Sequence, residues 1–418
     1  MLQRSWVDSA NFATTDFPLN NLPCGVFSVG QEAPRCGVAI GDFILDITAL
    51  EQEGLLHLTE YPLFEDPYWN EFMNLGPMAW ADFRSQVTVM LAEGASKRWV
   101  VEDLLVPMTK VRLHLPFIVA EYTDFYASKH HAMNVGTMLR GAENALPPNW
   151  LHLPIGYNGR ASSVVVSGTD VRRPWGQIKP AGTDLPIFAP SQRFDFELEL
   201  GAVVGTASDG MVSVAEADAM IFGYVLLNDW SARDIQGWEY QPLGPFQSKA
   251  TATTISPWIV MAAALQPFRV PTPAREVQLL PHLHEPEPML YNIALEVGLT
   301  PAGGVETVIS RTNTAELYYA SAQQLCHHSS CGCPMSVGDL LGSGTISGPE
   351  KFNRGSMIEL SWGGKEPLEI AGATRSFIQD GDSVVMRGAA LGDGVRIGFG
   401  TCAGTVIAAH VAPAGAGK

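Results

Sequence analysis

Positive charge is the first shortage in this chain. Lysine and arginine number 26 against 43 aspartates and glutamates, a net charge of −17. That balance speaks against nucleic acid or an anionic membrane as a partner, and an anionic substrate would need basic residues gathered locally. Long apolar runs are also missing: none approaches the roughly 18–20 residues that a spanning helix needs. The N-terminus, Met1 to Asp8, shows no charged-then-apolar leader pattern. A soluble cytoplasmic protein is therefore the expectation. Cysteine is sparse, with six at positions 24, 36, 326, 331, 333 and 402, so a disulfide framework is not expected. There is no internal repeat, and low complexity is confined to the Ala/Gly tail after Pro413.

What is present is the material of a large core. Of 418 residues, 46% are apolar and 17% charged, enough for two domains of unequal size. Short apolar runs at 25–29, 36–41 and 43–47, punctuated by Gly and Pro, suggest a small β-rich N-terminal domain. Within 66–104, Trp80, Phe83, Val87 and Leu91 fall at helical spacing. Pro107 and Pro116 bracket an expected link, which sets the domains at 1–116 and 117–418. Beyond it, residues 118–126 read as a strand with a polar end. Ser128 then N-caps an expected helix to Leu139. Further β runs are expected at 163–167, 221–229, 254–263, 289–299, 339–347, 356–362 and 384–399, with 314–326 the clearest helical pattern. The C-terminal part thus reads as one large, strand-rich mixed domain. The run from Cys326 through His327 and His328 to Cys331 and Cys333 matches no standard zinc module and reads as a loop.

The stretch 194–200 (Phe-Asp-Phe-Glu-Leu-Glu-Leu) alternates apolar and acidic residues at the period of a strand. Asp195, Glu197 and Glu199 then share one face. A half-exposed edge strand with an acidic face would account for that pattern. The continuation into Gly-Ala-Val-Val-Gly (201–205) reads instead as core, and buried carboxylates in a row need a cation to neutralise them.

Asp124 at a strand end, the pair Glu197 and Glu199, and Asp229 closing an apolar run are the acids with informative settings. Carboxylate oxygens without His or Cys nearby suit a hard cation, Ca²⁺ or Mg²⁺. A basic and polar group comprises Arg140, Arg160, Arg233, Gln236, Tyr240 and Lys249; in the short helix expected after Asp229, Arg233, Gln236 and Tyr240 fall on one face. A surface helix with ordinary ion pairs would look the same. His130 and His131 are adjacent and cannot both face one site.

Four stretches resemble the fumarylacetoacetase family: 124–134 (Asp-Phe-Tyr-Ala-Ser-Lys-His-His-Ala-Met-Asn), 148–163, 228–236 (Asn-Asp-Trp-Ser-Ala-Arg-Asp-Ile-Gln) and 242–249 (Pro-Leu-Gly-Pro-Phe-Gln-Ser-Lys). The segments 344–348 and 398–404 fit as well, and the resemblance runs almost the whole length. It implies a mainly β, α+β fold: a small SH3-like N-terminal domain, a large mixed β-roll domain and a homodimer. It implies that Asp124, Glu197, Glu199 and Asp229 hold a catalytic Ca²⁺, with a structural Mg²⁺ near Asp229, Lys249 and Thr253. The base of the family falls on His131, its acidic partner on Glu359, and Arg233, Gln236 and Lys249 lie close to the reacting centre. Substrate contacts fall on Tyr126, Arg140, Tyr157, Gln236, Tyr240 and Thr345. The activity implied is hydrolysis of a carbon–carbon bond in fumarylacetoacetate, a dianionic diketo acid, in tyrosine and phenylalanine breakdown. A related acylpyruvate hydrolase, hydratase or decarboxylase, or a binding protein that keeps the fold, are the alternatives. Residues 264–285, 300–305 and 329–334 depart from the family pattern, which bears on loop-based specificity.

Overall fold

The structure is a computed structural model that describes residues 1–412, so the Ala/Gly tail lies outside the described residues. The N-terminal part builds an antiparallel sheet from β1 (Cys24–Val29), β2 (Arg35–Ile40), β3 (Phe43–Asp46), β4 (Leu105–Pro107) and β5 (Val111–His114). The strands run in the order β4-β3-β2-β1, with β5 also on β1. Helix α1 (Pro77–Leu91) opens with Pro at its first position, where the missing N–H costs nothing, and buries the expected Trp80, Phe83, Val87 and Leu91. Phe83 joins Phe64, Trp69 and Phe72 in an aromatic cluster in which Trp69 meets its neighbours edge-on, anchored by Trp69 Nε1 donating to the Gly25 carbonyl at 2.8 Å.

One expectation fails here. Pro107 ends β4, and residues 111–114 are a strand rather than part of a linker. Val111 and Leu113 pack against the small core of Phe17, Phe27, Ile44 and Trp258, which holds this segment on β1.

The C-terminal part supplies β6 (Tyr122–Phe125), β7 (Gly156–Asn158), β8 (Val164–Val166), β9 (Leu198–Val204), β10 (Ile221–Asp229), β11 (Thr253–Ile255) and β12 (Trp258–Met261). Then come β13 (Ile293–Thr300), β14 (Thr307–Asn313), β15 (Leu340–Gly342), β16 (Ser383–Gly392) and β17 (Val395–Ile407). Cys24 and Gly25 of β1 pair with Ile259 and Trp258 of β12, so both parts share one sheet, in the order β4-β3-β2-β1-β12-β10-β9-β15-β6-β7. A second sheet contains β14-β13-β16-β17. The architecture is mixed α/β with sheets predominating. No helix among the described residues is long and apolar enough to cross a membrane.

Between the strands sit α2 (Lys129–Arg140), α3 (Arg233–Glu239), α4 (Ser321–Ser329) and α5 (Met357–Leu360). The Ser128 hydroxyl caps α2 as expected. Several expected boundaries move. The 194–204 strand is two pieces: Phe194–Asp195 pairs with Ser231–Ala232, and β9 begins at Leu198. Every residue of 194–204 is buried, which excludes the half-exposed edge strand. Of 339–347 only β15 is a strand, and α4 starts at Ser321 rather than 314. Cys326, His327 and His328 therefore stand on the end of a helix, not in a loop; Cys326 Sγ donates to the His282 carbonyl at 3.3 Å. All six cysteines are free.

The stretch 356–362, expected as a strand, contains α5 instead. The Asp195 carboxylate accepts the Met357 and Ile358 N–H groups at 2.7 and 3.0 Å. Two otherwise unpaired donors of a helix start are thereby satisfied, which alternation of side chains along the sequence cannot reveal.

Candidate active site

Strand pairing gathers the acids. Gly342 of β15 pairs in parallel with Asp124 of β6 and antiparallel with Gly201 of β9, which brings Asp124 beside Glu199. Asp229 closes β10, whose partner β9 follows Glu197. Asp124, Glu197, Glu199 and Asp229 each place an oxygen within 4.8 Å of the others, all in buried surroundings. A β-carbon at Gly342 would stand 2.6 Å from Asp124 Oδ1 and 2.9 Å from Glu199 Oε2, so only glycine leaves this space free.

Two cations reach the cluster. Lys249 Nζ contacts Glu197 and lies 2.6 Å from Asp229 Oδ2; Arg233 Nη2 lies 2.6 Å from Glu197 Oε1 and its Nε 2.8 Å from Asp195 Oδ2. Counting Asp195, five buried carboxylates face two buried cations, and if all were ionised they would leave an excess of three negative charges. Asp124 Oδ1 and Glu199 Oε1 are buried without any hydrogen-bond partner. Orphaned, acceptor-only oxygens in an all-oxygen donor set are what a hard divalent cation satisfies, so the residues present fit such an ion.

The electrostatics divide the cluster. Burial pushes the Asp124 carboxyl up to about 8, Asp229 adding to it and Lys249 opposing. Burial, then the charges of Asp124 and Glu197, raise Glu199 well above the carboxylate range. Burial also raises Asp229, against the pull of Lys249. Glu197 goes the other way: burial would raise it, but Arg233, Lys249 and His131 outweigh burial and hold it well below the usual range. Tyr157 Oη lies 2.9 Å from Asp124 Oδ2 and 3.0 Å from Asp229 Oδ2. With one proton to give, it can fully donate to only one of them at a time.

Beside this cluster stands a dyad. The imidazole of His131, in the first turn of α2, places Nδ1 2.7 Å from Glu359 Oε2. Glu359 also accepts from Asn134 Nδ2 at 2.8 Å, Ser347 Oγ at 2.9 Å and Ser356 Oγ at 2.7 Å. Burial alone would raise Glu359; the charge and hydrogen bond of His131, helped by Asn134 and Ser356, hold it down to about 2. An ionised Glu359 only accepts, so Nδ1 carries a proton towards it and Nε2 is the ring nitrogen left to face the cluster. Nε2 lies 3.8 Å from Glu197 Oε1, on the side of the carboxylate cluster. The arrangement can hold a cation, take a proton beside it, and present two fixed positive charges.

The comparisons with known proteins agree over the whole length. A model described as "Fumarylacetoacetate (FAA) hydrolase C-terminal" matches residues 121–407, and one described as "Fumarylacetoacetase N-terminal" matches 20–116. The chain is 46% identical to the fumarylacetoacetase of Arabidopsis thaliana over 97% of this chain and 99% of that one. It is 47% identical to that of Homo sapiens over 94% and 97%. The chain belongs to the fumarylacetoacetase family. It is a hydrolase. Among solved structures, a fumarylacetoacetate hydrolase from Exiguobacterium antarcticum superposes with a TM-score of 0.55 at 17% identity, covering 93% of this chain and 99% of that one, a likeness of fold.

In this fumarylacetoacetase-family chain the remaining expected residues lie at different depths. Gln236 Oε1 accepts from Arg233 Nη1 at 3.1 Å, and Thr253 Oγ1 lies 3.4 Å from Asp229 Oδ1. The Tyr126 ring meets His131 edge-on, with centroids 5.4 Å apart. The Thr345 hydroxyl is buried without a partner. Tyr240, half-buried just past α3, accepts from Gln241 Nε2 at 3.2 Å. Arg140 is exposed at the end of α2; its guanidinium is held by the carbonyls of Asn144 and Ala145 at 3.1 and 2.6 Å. Arg160 is not brought to the cluster: it is exposed and donates to Ser162 Oγ at 3.2 Å. His130 turns away to Glu316, at 3.5 Å.

Asn134, Ser347, Ser356 and Gly342 were not singled out from the sequence for roles at the site. Asn134 follows His131 by three residues on α2, and Ser356 precedes Glu359 by three, so helical spacing could have found both. Ser347 and Gly342 carry no local signal.

Proposed function

We propose that this protein hydrolyses 4-fumarylacetoacetate to fumarate and acetoacetate, the last step of tyrosine and phenylalanine breakdown. What carries the reading is the His131–Glu359 dyad opening onto the carboxylate cluster, in a chain that matches the fumarylacetoacetases end to end. Asp124, Glu197, Glu199 and Asp229 would hold a divalent cation, Ca²⁺ in our assignment, and a bound cation would supply Lewis-acid polarisation of the diketone oxygens. A structural Mg²⁺ is assigned near Asp229, Lys249 and Thr253; the Lys249 ammonium, raised by Asp229 and Glu197 against its burial, cannot itself ligate a cation through Nζ.

His131 Nε2 takes a proton from water while Nδ1–H remains on Glu359. The hydroxyl oxygen bonds to the carbonyl carbon, the carbon–carbon bond breaks, and the proton on Nε2 returns to the departing carbon. Arg233, Lys249 and Gln236 stabilise the negative charge that develops. Tyr126, Arg140, Tyr157, Tyr240 and Thr345 orient the substrate, and Arg140 offsets the excess acidity that a dianion meets on approach. We assign the SH3-like domain to 1–116 and the catalytic domain to 117–418, and the protein to the cytoplasm as a homodimer. The intact dyad and buried cations disfavour a mere binding protein, and full-length identity disfavours the acylpyruvate hydrolase, hydratase or decarboxylase.

The test is the loss of fumarylacetoacetate absorbance with purified protein, with EDTA and after adding back Ca²⁺ or Mg²⁺. Turnover that EDTA abolishes and one ion restores is expected. Turnover of an acylpyruvate but not of fumarylacetoacetate would replace the reading.

A further inference from the structure

Asp195 is a further buried carboxylate of this centre, and like Glu359 it stands outside the four that gather for a cation. Its oxygens are fully used. Oδ1 accepts from the N–H groups of Phe196 at 2.8 Å and Met357 at 2.7 Å; Oδ2 accepts from the N–H of Ile358 at 3.0 Å and from Arg233 Nε at 2.8 Å. N–H donors thus meet both oxygens, and the side chain acts here as an acceptor. The ligands come from three separate pieces of chain. Phe194–Asp195 is paired with Ser231–Ala232, the two residues that lead into α3 and Arg233. Met357 and Ile358 open α5, and the next residue is Glu359.

One side chain therefore joins the guanidinium of Arg233 to the helix that delivers Glu359 to His131. Arg233 donates from Nε to Asp195 and from Nη1 to Gln236, while Nη2 lies 2.6 Å from Glu197 Oε1 as an ion pair without a hydrogen bond. Take away the acceptor at Nε and the guanidinium, already 2.6 Å from Glu197 Oε1, loses the contact that sets its angle to a carboxylate the cation site also needs. Phe194, stacked on Trp230 with centroids 5.7 Å apart and rings inclined by 15°, fixes the backbone from which Asp195 reaches. The strand pattern had placed Asp195 on one face with Glu197 and Glu199; its partners give it a separate task.

We infer that Asp195 is a positioning residue that holds Arg233 and the first turn of the Glu359 helix in mutual register, and that it acts on the reaction through them. The inference rests on the roles proposed above for Arg233 and Glu359. The experiment is a double-mutant cycle on the metal-loaded full-length enzyme, reading kcat and KM for fumarylacetoacetate, bound metal and Tm. Asp195→Asn keeps the shape and one oxygen but turns an NH2 group on donors. Its kcat should fall about 10- to 100-fold, the usual cost of losing an outer partner of a site, with KM little changed. In the Arg233→Ala background Asp195→Asn should cost clearly less than in the parent, because only the path through the Glu359 helix remains. Asp195→Glu, which keeps the charge but shifts it by one methylene, gives a second cycle should the Asn variant not fold: a smaller loss, again reduced in the Arg233→Ala background. Losses that multiply, or Asp195 variants at the parent rate, overturn the inference while leaving Arg233 in place. Arg233→Ala at the parent rate overturns the role of Arg233 and the inference with it.

Discussion

Glu359 and Asp124 are both buried carboxylates of the same site, and the protein treats them in opposite ways. Glu359 accepts from His131, Asn134, Ser347 and Ser356 and is held down to about 2. Asp124 has one oxygen on Tyr157 and the other on nothing, faces other carboxylates, and is pushed up to about 8. The protein itself has neutralised the first; the second is left for a cation. One region is a finished hydrogen-bond network that stays charged at any physiological pH. The other is an incomplete coordination sphere whose charge state depends on what binds.

The strongest way to separate the two regions is to break the dyad and leave the carboxylates. His131→Ala should lower kcat by about 10²–10⁴-fold, the worth of a positioned general base, with bound metal unchanged. His130→Ala, whose side chain points to Glu316, should leave the rate close to the parent. A larger loss at His130, or metal lost from the His131 variant, would mean that the two regions are not independent. Glu199→Gln attacks the other side. It should weaken metal binding by at least the roughly 10–100-fold that loss of an outer-shell partner costs, and excess Ca²⁺ or Mg²⁺ should restore part of the activity. Metal content and rate both at the parent level would remove Glu199 from the coordination sphere.

The gentlest probe is pH. Metal-free protein holds a proton on Asp124 that the unfolded chain releases near 3.8 and the folded chain near 8. Between those values the folded state binds more protons, so metal-free stability should fall as pH rises through that window. Glu359 has the opposite sign: its contribution is present above about 4.5 and is lost as pH falls towards 2. A bound divalent cation displaces the Asp124 proton, so the Tm gain from metal should widen as pH rises from 5 to 8, on the order of the window set by that shift. Differential scanning in EDTA and in Ca²⁺ reads this directly. A gap that is flat across the window would show that Asp124 is already ionised without metal.

Several parts of this site are legible in the chain of residues because they are local. Ser128 caps the helix of His131, the aromatic stripe of α1 faces the core, and β10 closes on Asp229. Long motifs shared with the family carried residues from Asp124 to Glu359 into a single reading. The same local logic failed where a distant group decided the outcome. Residues 111–114 became a strand because β1 and the Phe27 core needed covering. The stretch 356–362 became a helix start because Asp195, far away in sequence, took its first N–H groups.

The sequence by itself determined the residue types of the centre: oxygen donors for a hard cation, one histidine with a carboxylate to orient it, and basic residues set against an acidic chain. Those follow from chemistry that each side chain brings with it. Only the tertiary structure decided which buried carboxylate is pushed up and which is held down, and that Asp195 meets Arg233 and a helix start. The reason is that burial, neighbouring charge and donor count set the state of a carboxylate. All three are sums over groups that strands β6, β9, β10 and β15 bring together from across the chain.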